Sequence, residues 1–278
     1  MNNKKIIAAT ILLSLSSGGV FAEGNYSLGI GADYSNGDYG TDSTATLWSL
    51  PLSLSYRGER WGWGITVPYL ILRSSGNVVV GSGGVIGTGS PHTTTTTNGG
   101  GGPGGGGAPA AATTTTTNST TTESGLGDVT LRGSVNLLEE GEIAPWMGFT
   151  VKAKLATADE NKFLGTGEND YAAQLEMAKG MVDGYVGYKY LGDPTYIDFN
   201  NVAYGALAFT LAQGRKTYYT VEGYFEQAAV DGYDPKQELS LIYEHRFNNP
   251  YRISGYLLKG FTDSSPDWGG GLALKYSL

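Results

Sequence analysis

The sequence predicts an all-β protein: a transmembrane antiparallel up-and-down β-barrel of about twelve strands with one long disordered extracellular loop. Three observations predict it. An export signal is followed by no further apolar helical span. Apolar and polar side chains alternate with a strict period of two. The alternating segments are longer than strands of water-soluble sheets.

The export signal comes first in the chain. Lys4 and Lys5 form a positive start, residues 6–15 an apolar core, and Val20-Phe21-Ala22 a small-residue cleavage site. The apolar run is shorter than the roughly 20 residues a helix needs to cross a bilayer. Residues 1–22 are therefore read as a cleaved signal peptide and 23–278 as one barrel domain. Loss of the two lysines takes the formal charge from −8 to −10.

Composition narrows the function classes. An acidic chain lacks the clustered Lys and Arg that displace counterions from nucleic acid, so no nucleic-acid partner is expected. There is no Cys among 278 residues, which excludes a disulfide framework, thiolate chemistry and most metal sites. Gly reaches 44 residues and Tyr 19, while charged residues are only 16%, against about 25% in ordinary soluble domains. Such a chain suits many short-period strands facing something less polar than water.

The strands follow from alternation. Val129, Leu131, Val135 and Leu137 share one face, with Asp128, Thr130, Arg132, Ser134 and Asn136 on the other. Met147, Phe149, Val151 and Leu155 oppose Thr150, Lys152 and Lys154; Tyr219, Val221 and Phe225 oppose Thr220, Glu222 and Glu226. At the C-terminus Leu272, Leu274, Tyr276 and Leu278 oppose Lys275 and Ser277. Starts are placed near Asn25, Ser43, Arg60, Ser124, Ile143, Glu168, Met181, Tyr196, Arg215, Lys236, Tyr251 and Asp267. Segments of about 10–14 residues match a tilted membrane strand, which needs about 9–11 in hydrocarbon, and exceed the 5–6 usual in soluble sheets. Short connections alternate with longer ones, as periplasmic turns alternate with outer loops. Aromatic residues gather at both strand ends, Tyr26, Tyr56, Trp61, Trp63, Tyr219, Tyr243, Tyr251 and Tyr276 at one and Tyr34, Trp48, Tyr69, Tyr171, Tyr188, Phe225, Phe261 and Trp268 at the other.

Between the third and fourth strands, residues 74–122 form a low-complexity Thr/Gly tract, with Thr runs at 93–97 and 113–117 and a Gly run over 99–107. It has too little apolar area to offset the entropy of ordering, and reads as a disordered outer loop. Asn118-Ser119-Thr120 matches a glycosylation acceptor.

Several segments resemble a family of bacterial outer-membrane transporters, the "MetA-pathway of phenol degradation" family. The resemblance rests on SGLGDVTLRG from Ser124, VKAKLATAD from Val151, LGTGENDY from Leu164 and GYKYLG from Gly187. These cover about a third of the chain, with Ala156 where the family usually has Pro and Leu278 where such barrels usually end in Phe. The resemblance implies an outer-membrane location and a transport role. The alternating C-terminal tail resembles an assembly signal, which implies insertion by the barrel-assembly machinery.

Inward faces carry the candidate chemistry. Alternation turns Arg57, Arg132, Lys152, Lys154, Lys189, Arg246, Arg252 and Lys275 inward, with Asp33, Asp128, Glu176, Asp183, Glu222, Glu226, Glu238 and Glu244. A Lys or Arg on the lipid face would cost about 2–4 kcal/mol at the midplane. All but Asp33, Glu238, Arg246 and Arg252 are assigned to the lining of a path for small solutes. Either the opposite charges pair and close the interior, or they face each other across water with basic residues on strands four, five and seven and glutamates on nine and ten. The first strand begins too close to the cleavage site for an N-terminal plug, so the lumen is expected to be plug-free. Catalysis has little support: His92 lies in the tract, His245 faces outward, and no cofactor is implied. Asp159, Glu160 and Asp170 lack the oxygen spacing of a calcium loop and read as a solvated cluster. The channel reading has one rival, a structural or surface-interaction barrel that uses the Thr/Gly loop; partners under either reading include the outer-membrane bilayer, and oligomeric state is left open.

Overall fold

A computed structural model describes residues 25–88, 120–248 and 250–278. The signal segment, the Thr and Gly runs, His92 and most of the acceptor triplet lie outside the described residues.

The first strands are β1 (Asn25–Gly37), β2 (Ala45–Arg57) and β3 (Trp61–Ser74), followed by two short ones, β4 (Val78–Gly81) and β5 (Gly84–Gly87). Next come β6 (Thr121–Leu126), β7 (Val129–Leu138), β8 (Trp146–Leu155), β9 (Asp170–Lys179) and β10 (Val182–Tyr190). The chain ends with β11 (Val202–Gln213), β12 (Thr217–Glu226), β13 (Lys236–Arg246), β14 (Tyr251–Gly260) and β15 (Trp268–Ser277). Every neighbouring pair is antiparallel, and β1 pairs with both β2 and β15, which closes the sheet. β6 and β7 both pair with β3 and form one stave broken at Gly127-Asp128. The barrel therefore has twelve staves, and closure removes every sheet edge that lipid could not satisfy.

Burial is inverted relative to a soluble protein. Leu207, Leu257 and Leu272 point outward and are 67%, 66% and 72% exposed, whereas Thr150 and Glu222 point inward at 0% and 2%. An apolar belt of this extent is stable only against hydrocarbon. Aromatic residues border it at both ends: Tyr26 packs on Tyr56 at 5.1 Å and Tyr251 on Tyr276 at 5.0 Å near the termini, while Tyr34 packs on Trp48 at 4.9 Å near the far end. Turns on the terminal end are short, as at 58–60, 180–181 and 214–216; those on the far end, such as 156–169 and 191–201, are longer. The terminal end is accordingly the periplasmic one.

Two expectations need correction. β11 begins at Val202 rather than near Tyr196, because Leu191 and Phe199 in the 191–201 loop turn in to pack beneath the outer mouth. The tract assigned to 74–122 is ordered at both described ends: β6 extends the barrel wall, and β4–β5 form a hairpin folded into the lumen. One face of the hairpin, Val78 and Val85, packs on Tyr39, Ala45, Leu47, Leu70, Leu72 and Leu164. The other, through Val79, meets Leu191 and Phe199, with Ile86, Ile197 and Val230 alongside. Fully buried valines contribute roughly 1.5–3 kcal/mol each. The lumen expected to be plug-free thus holds, at its outer end, a hairpin from the tract that follows β3.

Candidate functional site

A cavity of about 1220 Å³ occupies the lumen, bordered by Arg60 and Glu139–Glu142 at the periplasmic rim and by hairpin residues 80–85 at the outer end. Ten of the twelve residues assigned to a solute path border it; Glu222 and Glu226 also face inward but do not. Three groups of charge divide this interior.

At the outer end Lys154 is the centre of a closed knot. Its Nζ lies 3.0 Å from Asp128 Oδ2, 3.0 Å from Asp170 Oδ2 and 2.8 Å from Thr166 Oγ1. Asp128 Oδ1 accepts hydrogen bonds from the backbone N–H groups of Thr157 and Ala158, both at 2.9 Å, and Asp170 Oδ1 accepts one from Gly192 at 3.0 Å. The segments around Ser124, Val151 and Leu164 therefore meet at Lys154, and the segment from Gly187 joins them through the Gly192 N–H on Asp170. Gly127 is part of the fit: a Cβ there would sit 2.6 Å from Leu70 Cδ1 and 2.9 Å from Pro68 Cγ. Of the acidic trio only Asp170 is buried, in this knot; Asp159 and Glu160 are exposed to solvent, and Asp159 caps a short 3-10 turn through the Asn161 N–H at 3.1 Å.

The second group holds the hairpin tip. Lys189 Nζ donates to Ser82 O at 3.0 Å and Lys236 Nζ to Gly83 O at 3.1 Å. Glu226 pairs with Lys189 and accepts from the Tyr224 hydroxyl, both through Oε2. Gly83, at φ 121°, allows this approach: a Cβ would meet Lys189 Nζ at 2.8 Å.

The third group, which runs from Arg132 and Lys152 in the middle of the barrel to Arg246, Arg252 and Lys275 near the periplasmic end, is different in kind. Arg246 and Arg252 are direct cross-strand partners, and Arg252 in turn is opposite Lys275. Arg132 is opposite Lys152 on β7 and β8. Two carboxylates serve these rows: Glu244, 2.7 Å from Arg246 and 3.8 Å from Arg252, and Glu176, 3.3 Å from Arg132. Three buried guanidinium nitrogens, Arg132 Nε and Nη1 and Arg246 Nη2, have no hydrogen-bond partner among the described residues. Going round the barrel, cations run along β13, β14 and β15 and resume on β2, β7 and β8, whereas Glu176, Asp183 and Glu222 lie on β9, β10 and β12. Oppositely charged groups are thus paired toward the outer mouth, whereas like charges lie opposite one another on neighbouring strands toward the periplasm.

Arg246 and Arg252, left out of the assigned solute path, carry the longest cationic row. The hairpin was missed as well, although Val78-Val79-Val80, then Gly81-Ser82-Gly83-Gly84, then Val85-Ile86 has the form of strand, turn and strand. His245 meets Thr217 Oγ1 at 2.9 Å through Nδ1 and stacks edge-on to Phe247.

No family model matches this chain, and no curated protein sequence does. Solved structures do match. An outer membrane channel from Pseudomonas putida F1 superposes with a TM-score of 0.63 at 13% identity, over 95% of this chain and 100% of that one. The translocator domain of the autotransporter NalP from Neisseria meningitidis gives 0.48 at 10% identity, over 92% and 88%. The CymD monoaromatic hydrocarbon channel gives 0.44 at 9%, over 92% and 88%. At these identities the likeness is one of architecture, and it rests on the first of the three. The chain has the fold of an outer-membrane channel barrel.

Proposed function

We propose that this protein is an outer-membrane channel for small solutes, closed toward the exterior by the β4–β5 hairpin in the conformation described. The observation that carries the reading is the cavity of about 1220 Å³ extending from the periplasmic rim to the hairpin tip through a charge-lined interior. A barrel serving only as an anchor gains nothing from such a space, and filling it with side chains would add packing energy. On this reading residues 1–22 direct export, the solute path includes the ten cavity-bordering residues, and the outward Leu272, Leu274, Tyr276 and Leu278 of the last strand present the assembly signal.

The test is conductance in planar bilayers. Replacing residues 77–87 by a short Gly-Ser linker removes the hairpin without touching any barrel stave. The expected result is a several-fold rise in single-channel conductance over the intact protein. A correctly inserted hairpin-deleted barrel that stays silent would sink the channel reading.

A further inference from the structure

We infer that the cationic stretch of the lumen between the Lys154 knot and the periplasmic rim is a binding site for a small oxyanion carrying two or more negative charges, held by Arg132, Lys152, Arg252 and Lys275. The inference rests on the channel reading for the route by which such an anion arrives.

Like charges placed directly opposite one another across a ladder destabilise a sheet. Here that arrangement occurs at Arg246 with Arg252, at Arg252 with Lys275, and at Arg132 with Lys152. Arg57 adds to it, lying within electrostatic reach of Arg252, Arg132 and Arg246. Glu176 and Glu244 neutralise part of this charge, and both are already committed: Glu176 accepts from Gln174 at 2.7 Å as well as from Arg132, and Glu244 bridges two arginines. Lys152 and Lys275 carry no ion pair or hydrogen bond among the described residues.

The contrast with the rest of the lumen is informative. Lys154 and Lys189 are matched to carboxylates and have their donors used. Strands able to place Asp or Glu opposite a lysine there have not done so for the periplasmic rows. Unmade hydrogen bonds point the same way, because two nitrogens of Arg132 are buried with no hydrogen-bond partner among the described residues. An unpaired buried donor costs about 1–3 kcal/mol, and more when charged. Arg132 borders the cavity, so a visiting oxyanion would meet its guanidinium there, and guanidinium groups suit it because their planar forks match carboxylate and phosphate oxygens. The cavity bordered by Arg57, Arg132, Lys152, Arg252 and Lys275 supplies the room.

The test is isothermal titration of the full-length protein, folded in detergent at low salt, with citrate, inorganic phosphate and glycerol. Saturable binding is expected for at least one anion and none for glycerol; which anion binds more tightly tells whether carboxylate or phosphate geometry is preferred. Arg252→Gln combined with Lys275→Gln should weaken that binding at least tenfold, while Lys259→Gln, which lies outside the cavity beside Trp268, should not change it. Heat-modifiable gel mobility checks that each variant is folded. Absence of saturable binding by the folded protein overturns the inference, as does undiminished binding in the double variant. If the hairpin-deleted barrel conducts yet binds neither anion, the inference alone falls. If it binds but never conducts, the channel reading falls and the site remains.

Discussion

The two charged halves of the lumen obey opposite rules. Around Lys154 every strong group has a partner: two aspartates, a threonine and three backbone N–H groups close the network. Along Arg246, Arg252 and Lys275, cations are stacked against cations and served by one glutamate. Both sets face inward on strands of the same barrel, so burial alone does not separate them. The difference is whether the protein completes its own electrostatics or leaves them to be completed. Completed networks fix geometry, and here the network fixes the loop segments at 127–128, 156–158 and 164–170 against the outer rim. Incomplete ones store a preference for something that is not protein.

The largest effect that would break this comparison is in the knot. Lys154→Ala removes the cation that pairs with both Asp128 and Asp170, leaving two carboxylates buried side by side. Breaking a buried pair from one side costs about 3–5 kcal/mol. Guanidinium unfolding in detergent, followed by tryptophan fluorescence, should show a loss of that size. Adding Asp170→Asn should restore part of it, because one stranded charge is gone. A variant as stable as the wild type would show that water satisfies these carboxylates and that the two halves are not different after all.

Gly127→Ala ranks next and probes shape instead of charge. The added methyl would press on Leu70 and Pro68 at 2.6 and 2.9 Å, and overpacking of this kind costs about 1–3 kcal/mol. Since Gly127 N–H also donates to Pro68 O at 2.9 Å, the strain falls on the break between β6 and β7 that aims Asp128 at Lys154. The same unfolding assay reads it. A loss near zero would mean that the stave shifts freely and the knot does not depend on its register.

Much of this fold is legible in the amino-acid sequence, for a physical reason. Lipid outside and a polar lumen inside write one message per strand: Tyr219, Val221 and Phe225 out, Thr220 and Glu222 in, with strands long enough to carry it. The hairpin escapes that logic because it is apolar on both faces. Val78 and Val79 point to different clusters and are both fully buried, so no alternation survives, and four-residue strands beside a Gly- and Thr-rich tract resemble low complexity. The knot escapes it differently. Asp128, Lys154, Thr166 and Asp170 are each visible within a family-like motif, but their meeting depends on three separate loops folding over one rim. The cationic rows were half legible: alternation turns Arg252 inward, whereas only the ladder register places it opposite both Arg246 and Lys275.

The smallest stability effect is the most discriminating. Arg252→Gln shortens the cationic row at its centre, leaving Glu244 with Arg246 at 2.7 Å, the closer of its two partners. Like charges directly opposite on a sheet oppose folding, and pairs of this kind are worth about 0.2–1 kcal/mol. Removing the charge relieves repulsion against two neighbours and gives up only the longer contact to Glu244. The unfolding midpoint should therefore stay unchanged or rise slightly, the reverse of Lys154→Ala. Selectivity should move the other way. In the hairpin-deleted barrel, a salt gradient across the bilayer should give a reversal potential favouring anions, and Arg252→Gln should reduce it. If the variant instead unfolds as readily as Lys154→Ala, Arg252 is part of the scaffold, and the periplasmic row exists to hold the barrel together.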